Sequence, residues 1–137
     1  MKTQIATTPE QSQRLTACGV DKDTADFYWC DFIPDEPSLS MGEIPRNNDT
    51  GEVISDGDLP AWSFSALLAL LPMEVNEEGL QTVFHLTYYP DELKWAAEYY
   101  DYAMDKYLCS ERDYTPIEAC VKAIEYLTAN GYTLNTK

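Results

Sequence analysis

The sequence predicts a single α+β domain over residues 1–137, with a small antiparallel sheet packed against two or three helices. Residues 81–100 alternate apolar and polar side chains around a Pro90-Asp91-Glu92 turn, which is typical of a hairpin at the centre of a sheet. Residues 63–71 and 115–130 instead repeat apolar side chains at helical spacing. A chain of 137 residues is also long enough to bury a core.

A short helix is predicted near the beginning of the chain. Thr8 is a suitable N-cap, Pro9 suits the first helical position, and Gln11 can complete a capping box. We expect this helix to end near Cys18, because Gly19 follows it.

Residues 27–33 are rich in strand-forming side chains and end at Pro34, so they predict the first strand. The composition then changes, because Pro, Asp, Asn, Gly and Ser dominate residues 34–60. We expect a long irregular loop there, with a short strand at 52–54 beside the first strand. Loops of this length often serve a function of their own.

The most apolar element is predicted to be a helix over residues 63–71. Ser63 is a suitable N-cap, and Phe64, Leu67, Leu68 and Leu71 form one apolar stripe ahead of Pro72. A helix that is apolar nearly all round is buried, or serves half as core and half as contact surface.

The central hairpin is predicted from strands at 81–89 and 93–100. The acidic segment at 74–79 is expected to be a solvated turn before it, and residues 102–109 are expected to add a third strand.

The last helix has the clearest local signals in the chain. Thr115 caps it, Pro116 takes the first helical position, Glu118 closes a capping box, and Gly131 ends it. Its apolar stripe consists of Ile117, Cys120, Val121, Ile124 and Leu127.

Negative charge is concentrated in one block of the sequence. Residues 23–93 hold 15 acidic side chains and one basic one, Arg46, while the other 66 residues hold nine acids and eight bases. The chain carries −15 overall, which argues against direct binding of nucleic acid or of anionic membranes. The charge favours solubility and association with a basic partner. We expect a cytoplasmic protein, because the chain begins without a secretory leader and holds no apolar run of membrane-spanning length.

Little in the sequence indicates catalytic chemistry. The four cysteines, Cys18, Cys30, Cys109 and Cys120, include no C-x-x-C pair, and His85 is the single histidine. No glycine-rich phosphate loop is present either. We therefore predict no catalytic residue, no cofactor and no metal site, four buried thiols, and a structural role for His85.

Tyrosines provide the best candidate contact surface. Four of them lie in the hairpin and a fifth, Tyr102, lies two residues after it, and about half of these must face away from the core. Exposed tyrosines are enriched in interface hot spots. The predicted contact residues are Tyr89, Tyr100, Tyr102 and Trp62; the alternative is that a helix or the long loop covers this face.

Three segments together resemble a group of small bacterial proteins associated with prophages and other mobile elements. They are residues 24–29, residues 59–72 with their Pro60-Ala61-Trp62-Ser63 motif, and residues 116–132 with a terminal Asn130-Gly131-Tyr132. The resemblance implies a cytosolic accessory protein and carries over no catalytic residue.

Three functions are consistent with the sequence. We expect first a non-enzymatic accessory or interaction protein of a bacterial mobile element, with a protein partner that could be basic, or with a second copy of the chain. The second is an acidic nucleic-acid mimic that inhibits a basic DNA-binding protein. The third is an enzyme that uses carboxylates and His85.

Overall fold

Two antiparallel sheets and three α-helices form the fold within residues 4–30, 38–42, 49 and 59–135, which are those that the computed structural model describes. This composition confirms the α+β prediction. The chain divides into two compact units, and the boundary lies between Ala66 and Leu67. The prediction of one domain over residues 1–137 stays a prediction.

The first unit contains a short helix and a three-stranded sheet in the order β2-β1-β3. Its elements are α1 (Pro9–Ala17), a single 3-10 turn (Lys22–Thr24), β1 (Phe27–Cys30), β2 (Ser38–Met41) and β3 (Leu59–Ala61). The N-terminus of α1 has the predicted capping box, because Thr8 Oγ1 accepts from the Gln11 amide and Gln11 Oε1 accepts from the Thr8 amide.

Residues 34–60 are more regular than predicted where the structure describes them. Ser38–Met41 forms β2, which pairs with β1 so that Leu39 lies opposite Trp29. The surrounding turn-forming residues hid this strand, although its polar and apolar side chains alternate. The strand expected at 52–54 lies outside the described residues.

Helix α2 spans Phe64–Leu70, and Ser63 caps it as predicted, since Ser63 Oγ accepts from the Ala66 amide at 3.1 Å. Leu67 and Leu70 are buried, whereas Leu68 is exposed. Leu71 is buried as well, so the predicted stripe is confirmed at Leu67 and Leu71 and is wrong at Leu68, where Leu70 is buried instead. No helix in the described part of the chain is long and apolar enough to cross a membrane.

The second unit is a four-stranded sheet in the order β4-β5-β6-β7, with one helix on it. Its elements are β4 (Glu74–Glu77), β5 (Leu80–Tyr89), β6 (Lys94–Asp101), β7 (Lys106–Asp113) and α3 (Pro116–Ala129). The β5–β6 hairpin occupies the centre of the sheet, as the alternating pattern predicted.

Two predictions at the borders of this sheet are wrong. The acidic segment at 74–79 is not a turn throughout, because Glu74–Glu77 pairs with β5 and buries Val75. The third strand starts at Lys106 rather than at residue 102. The Asp101 carboxylate accepts from the amides of Ala103 and Met104. These bonds hold residues 102–105 in a turn between β6 and β7.

Helix α3 covers one face of β6 and β7 and builds the core of this unit. Its predicted stripe is confirmed, because Ile117, Cys120, Val121, Ile124 and Leu127 are all buried. The Thr115 hydroxyl accepts from the Glu118 amide at 3.1 Å and begins the helix. Gly131 follows its end with φ of +79°, a conformation that favours glycine.

All four cysteines are free thiols. Cys30, Cys109 and Cys120 are buried as expected, whereas Cys18 at the end of α1 is half-buried. Burial raises the pKa of both Cys109 and Cys120 to about 12.

Candidate functional site

Three polar side chains lie in register across the middle of the four-stranded sheet. His85 on β5 is opposite Glu98 on β6, and Glu98 is opposite Ser110 on β7. Side chains alternate between the faces of a strand, so these three share one face, while their neighbours Tyr99 and Cys109 lie on the other. We call the side that holds His85, Glu98 and Ser110 the polar face.

Glu98 is the centre of this face, and its side chain is fully buried. Its carboxylate accepts from His85 Nε2 at 2.7 Å, from Ser110 Oγ at 2.5 Å, and from the Tyr89 hydroxyl at 3.0 Å to each oxygen. A buried carboxylate is costly unless hydrogen-bond donors replace the lost water. Here two hydroxyls and an imidazole nitrogen converge on it and replace the lost hydration.

Arg112 lies beside the group formed by His85, Tyr89, Glu98 and Ser110, which we call the polar cluster. Its guanidinium lies 4.0 Å from the nearer Glu98 oxygen and 4.2 Å above the centre of the Tyr89 ring, and it also binds the Glu92 carboxylate. Burial, together with the hydrogen bonds to Tyr107 and to Glu98, raises the pKa of Tyr89 above its usual range. Tyr89 therefore stays a neutral donor to Glu98.

His85 lies between the buried carboxylate and the surface, with 29% of its side chain exposed. A hydrogen bond from Nε2 to the Glu98 carboxylate selects the imidazole tautomer with its proton on Nε2. Nδ1 is then an acceptor, and it lies 3.3 Å from the Tyr102 hydroxyl. Ser110 donates to Glu98 and not to His85, so the row lacks the contact between nucleophile and base that a serine triad requires.

Three tyrosines form an aromatic surface beside His85. The ring of Tyr100 lies 4.8 Å from that of Tyr102, almost perpendicular to it, and 4.7 Å from that of Tyr107. A bulge in the pairing of β6 with β7 places Tyr107 directly opposite Tyr100. Tyr102 is 67% exposed and Tyr107 is 47% exposed. We call Tyr100, Tyr102 and Tyr107 the tyrosine platform.

The structure separates the residues predicted for the contact surface. Tyr89 belongs to the polar cluster, and Tyr100 and Tyr102 lie beside it. Trp62 requires a correction, because it is fully buried and its indole Nε1 donates to Thr24 Oγ1 at 2.9 Å. A tryptophan with an internal partner for its N–H group belongs to the core.

Residues that carry the sequence resemblance have structural roles in the first unit. Asp26 accepts from both the amide and the hydroxyl of Ser63, at 2.8 and 2.5 Å. Thr7 accepts from the Trp62 amide through its hydroxyl at 3.0 Å. These hydrogen bonds hold the Pro60-Ala61-Trp62-Ser63 motif in position directly before α2 begins.

Sequence reasoning missed Glu98, Ser110, Arg112 and Tyr107. The register of the hairpin is the signal that could have found Glu98, because the Pro90-Asp91-Glu92 turn pairs Tyr89 with Lys94 and so brings Glu98 opposite His85. The bulge that directs Tyr107 gave no such signal, since nothing in the local composition marks it.

Two shallow pockets lie along the β4–β5 edge, with volumes of about 380 and 270 Å³. Neither is lined by His85 or Glu98. No group of three or more His, Cys, Asp or Glu among the described residues is arranged to hold a metal ion. Comparisons of the chain with family models, curated proteins and solved structures gave no match.

Proposed function

We propose that the chain is a cytoplasmic, non-enzymatic interaction protein that binds a protein partner through the polar face. The observation that carries this proposal is the tyrosine platform, in which two of three clustered rings are about half or more exposed. Tyrosine supplies a large contact area at a small entropic cost, and it is enriched among the residues that dominate interfaces.

The polar cluster beside the tyrosine platform supports the same function. Tyr102 contacts His85, which is anchored to Glu98, and Glu98 is itself tied to Tyr89 and Ser110. Side chains that are ordered before binding lose less entropy when the partner arrives. A costly buried carboxylate is thereby explained by the surface that it organises.

Charge indicates what kind of partner would fit. The chain carries −15 overall, and its described residues from 67 onward hold twelve acids and four bases. A positively charged partner would be attracted at long range, whereas a second copy of the chain would be repelled. We therefore favour a basic partner over a homodimer.

Two broader roles belong to this proposal. The sequence resemblance supports an accessory role in a bacterial mobile element. The nucleic-acid mimic is one form of the same function, because its target would be a basic DNA-binding protein. Seven of the fifteen carboxylates of the block at 23–93 lie outside the described residues.

A second candidate function is acid–base catalysis by His85. It is favoured by one observation, that Glu98 orients the imidazole while Nδ1 faces the exposed Tyr102 hydroxyl. Hydrolysis of activated ester or phosphodiester substrates, compared between the wild type and His85→Gln, tests this role. Equal rates for the two proteins would exclude it for those substrates.

The interaction function is tested by affinity capture with matched variants. The bait proteins are the wild type, the double variant Tyr102→Ala with Tyr107→Ala, and the control Tyr114→Ala, which removes an exposed tyrosine after the end of β7. We expect a protein captured by the wild type and the control to be lost with the double variant. Equal capture by all three baits would contradict the proposal.

A further inference from the structure

We infer that the tyrosine platform receives the guanidinium group of an arginine on the partner. This inference rests on the proposed function and names the chemistry of its contact. Three features of the molecule support it: the electron-rich rings of the platform, the acid beside it, and a contact of the same kind that the chain already makes.

The platform offers aromatic faces to a cation at the surface. Tyr100 and Tyr102 stand at 86° to each other, and Tyr107 lies on the other strand at 47° to Tyr100. The Tyr100 hydroxyl donates to the Asp105 carboxylate, which increases the electron density of that ring. A cation above such a ring is attracted by its quadrupole, and Asp105 adds a full negative charge beside it.

The same face already holds one arginine in this arrangement. The Arg112 guanidinium lies over Tyr89 while the Glu92 carboxylate binds its edge. The Arg112 guanidinium thus has two partners within this chain, a tyrosine ring beneath it and a carboxylate beside it. The platform repeats the combination with Tyr100, Asp105 and more exposed rings, but without an arginine of the described chain upon it.

Arginine fits this surface better than lysine does. Its guanidinium is planar, weakly hydrated and able to stack on a ring while donating sideways to a carboxylate. The arginine of a second copy is a poorer occupant, because the described arginines, Arg14 and Arg112, already pair with Glu10 and Glu92. We therefore assign the guanidinium to an arginine in a positively charged segment of the partner.

The test is an NMR titration of the full chain with short Gly-Ser peptides that carry arginines. Matched peptides replace each arginine with lysine or with citrulline, which keeps the shape and removes the charge. We expect the arginine peptide to shift the ring signals of Tyr102 and Tyr107 and to bind more tightly than the lysine peptide. Citrulline should abolish the shifts.

Variants show whether the platform itself makes the contact. Tyr102→Ala with Tyr107→Ala should weaken arginine-peptide binding about tenfold, whereas Tyr114→Ala should leave it unchanged. Both positions are exposed, so the fold should persist, which thermal unfolding checks. Tyr100→Phe keeps the ring and removes the hydroxyl that binds Asp105, and we expect it to weaken binding by a smaller factor.

Two outcomes would overturn the inference. One is binding of the citrulline peptide as tightly as the arginine peptide. The other is equal arginine-peptide binding by the wild type and the double variant. If the double variant still failed to capture the natural partner, the interaction function would stand and only the arginine contact would fall.

Discussion

The two faces of strand β6 differ in how they exclude water, although their residues alternate along the same eight positions. On one face Ala97 and Tyr99 are buried in the core beneath α3. On the other face Glu98 is equally buried, but among His85, Tyr89 and Ser110. The first face excludes water with apolar side chains, and the second does so with a hydrogen-bonded carboxylate.

The face of β6 beneath α3, which we call the helix face, stabilises the fold. The polar face carries the exposed tyrosine platform. Apolar burial stabilises the helix face at roughly 25 cal/mol for each Å² that is removed from water. A buried carboxylate contributes little net stability, since its desolvation offsets most of what its hydrogen bonds return. Under the proposed function, the polar face serves to order the tyrosine platform rather than to stabilise the fold.

The largest effect is expected on the helix face. Val121→Asp places an unpaired carboxylate in the core, and we expect it to cost more than about 4 kcal/mol and to unfold the second unit. Thermal unfolding followed by circular dichroism measures the loss. The control Ala129→Asp lies at an exposed position of the same helix and should cost less than about 1 kcal/mol. A wild-type melting temperature for Val121→Asp would show that this packing is wrong.

Removing Glu98 should have the next largest effect. Glu98→Ala leaves the half-buried Tyr89 and Ser110 hydroxyls without their acceptor and opens a cavity at a fully buried position, which we expect to cost about 2–4 kcal/mol in urea unfolding. Glu98→Gln retains an acceptor oxygen, so its cost should be smaller. Stability of Glu98→Ala equal to that of the wild type would mean that the cluster does not form.

Acid should weaken the corner where β6 ends. Amide donors, with that of Gln81 first and those of Met104 and Ala103 beside it, hold the pKa of Asp101 below its usual range. A lowered pKa in the folded state stabilises the fold above about pH 4 and loses that contribution as the pH falls further. The stability gap between the wild type and Asp101→Asn should therefore narrow below pH 4. A gap that stays constant down to the lowest pH at which the chain folds would contradict these bonds.

The smallest effect concerns the thiols. Burial raises the pKa of Cys109 and Cys120 to about 12, so neither should react with a disulfide reagent in the native protein at pH 8. Half-buried Cys18 should react first. Spectrophotometric thiol titration, with mass spectrometry of the labelled peptides, checks this order. Labelling of Cys120 ahead of Cys18 would show that α3 is not seated on the sheet.

Local signals in the sequence predicted most of the regular elements. Capping residues and helical spacing gave α1 and α3, and alternation around a proline turn gave the central hairpin. The strands β2 and β4 were missed because their stability comes from pairing with distant strands, while their own composition is typical of turns. Tertiary context overrode the local signal in both.

The candidate site was harder to predict than the fold. Its tyrosines were recognised from their crowding, but Glu98 looked like one of many surface acids until the register placed it opposite His85. Tyr107 depends on a bulge, and Trp62 is buried by contacts with residues more than thirty positions away. These are long-range relations, which local composition does not encode.

Tyrosine footprinting of the chain in complex with its captured partner tests most directly whether the partner covers the tyrosine platform. Exposed tyrosines are iodinated or nitrated in the free chain and in the complex, and the labelled peptides are quantified by mass spectrometry. Tyr102 and Tyr107 should lose labelling in the complex while Tyr114 keeps it, because the partner covers the tyrosine platform and Tyr114 lies beyond the end of β7, under Lys94. Protection of Tyr114, with Tyr102 and Tyr107 labelled as in the free chain, would place the partner elsewhere and contradict the proposed function.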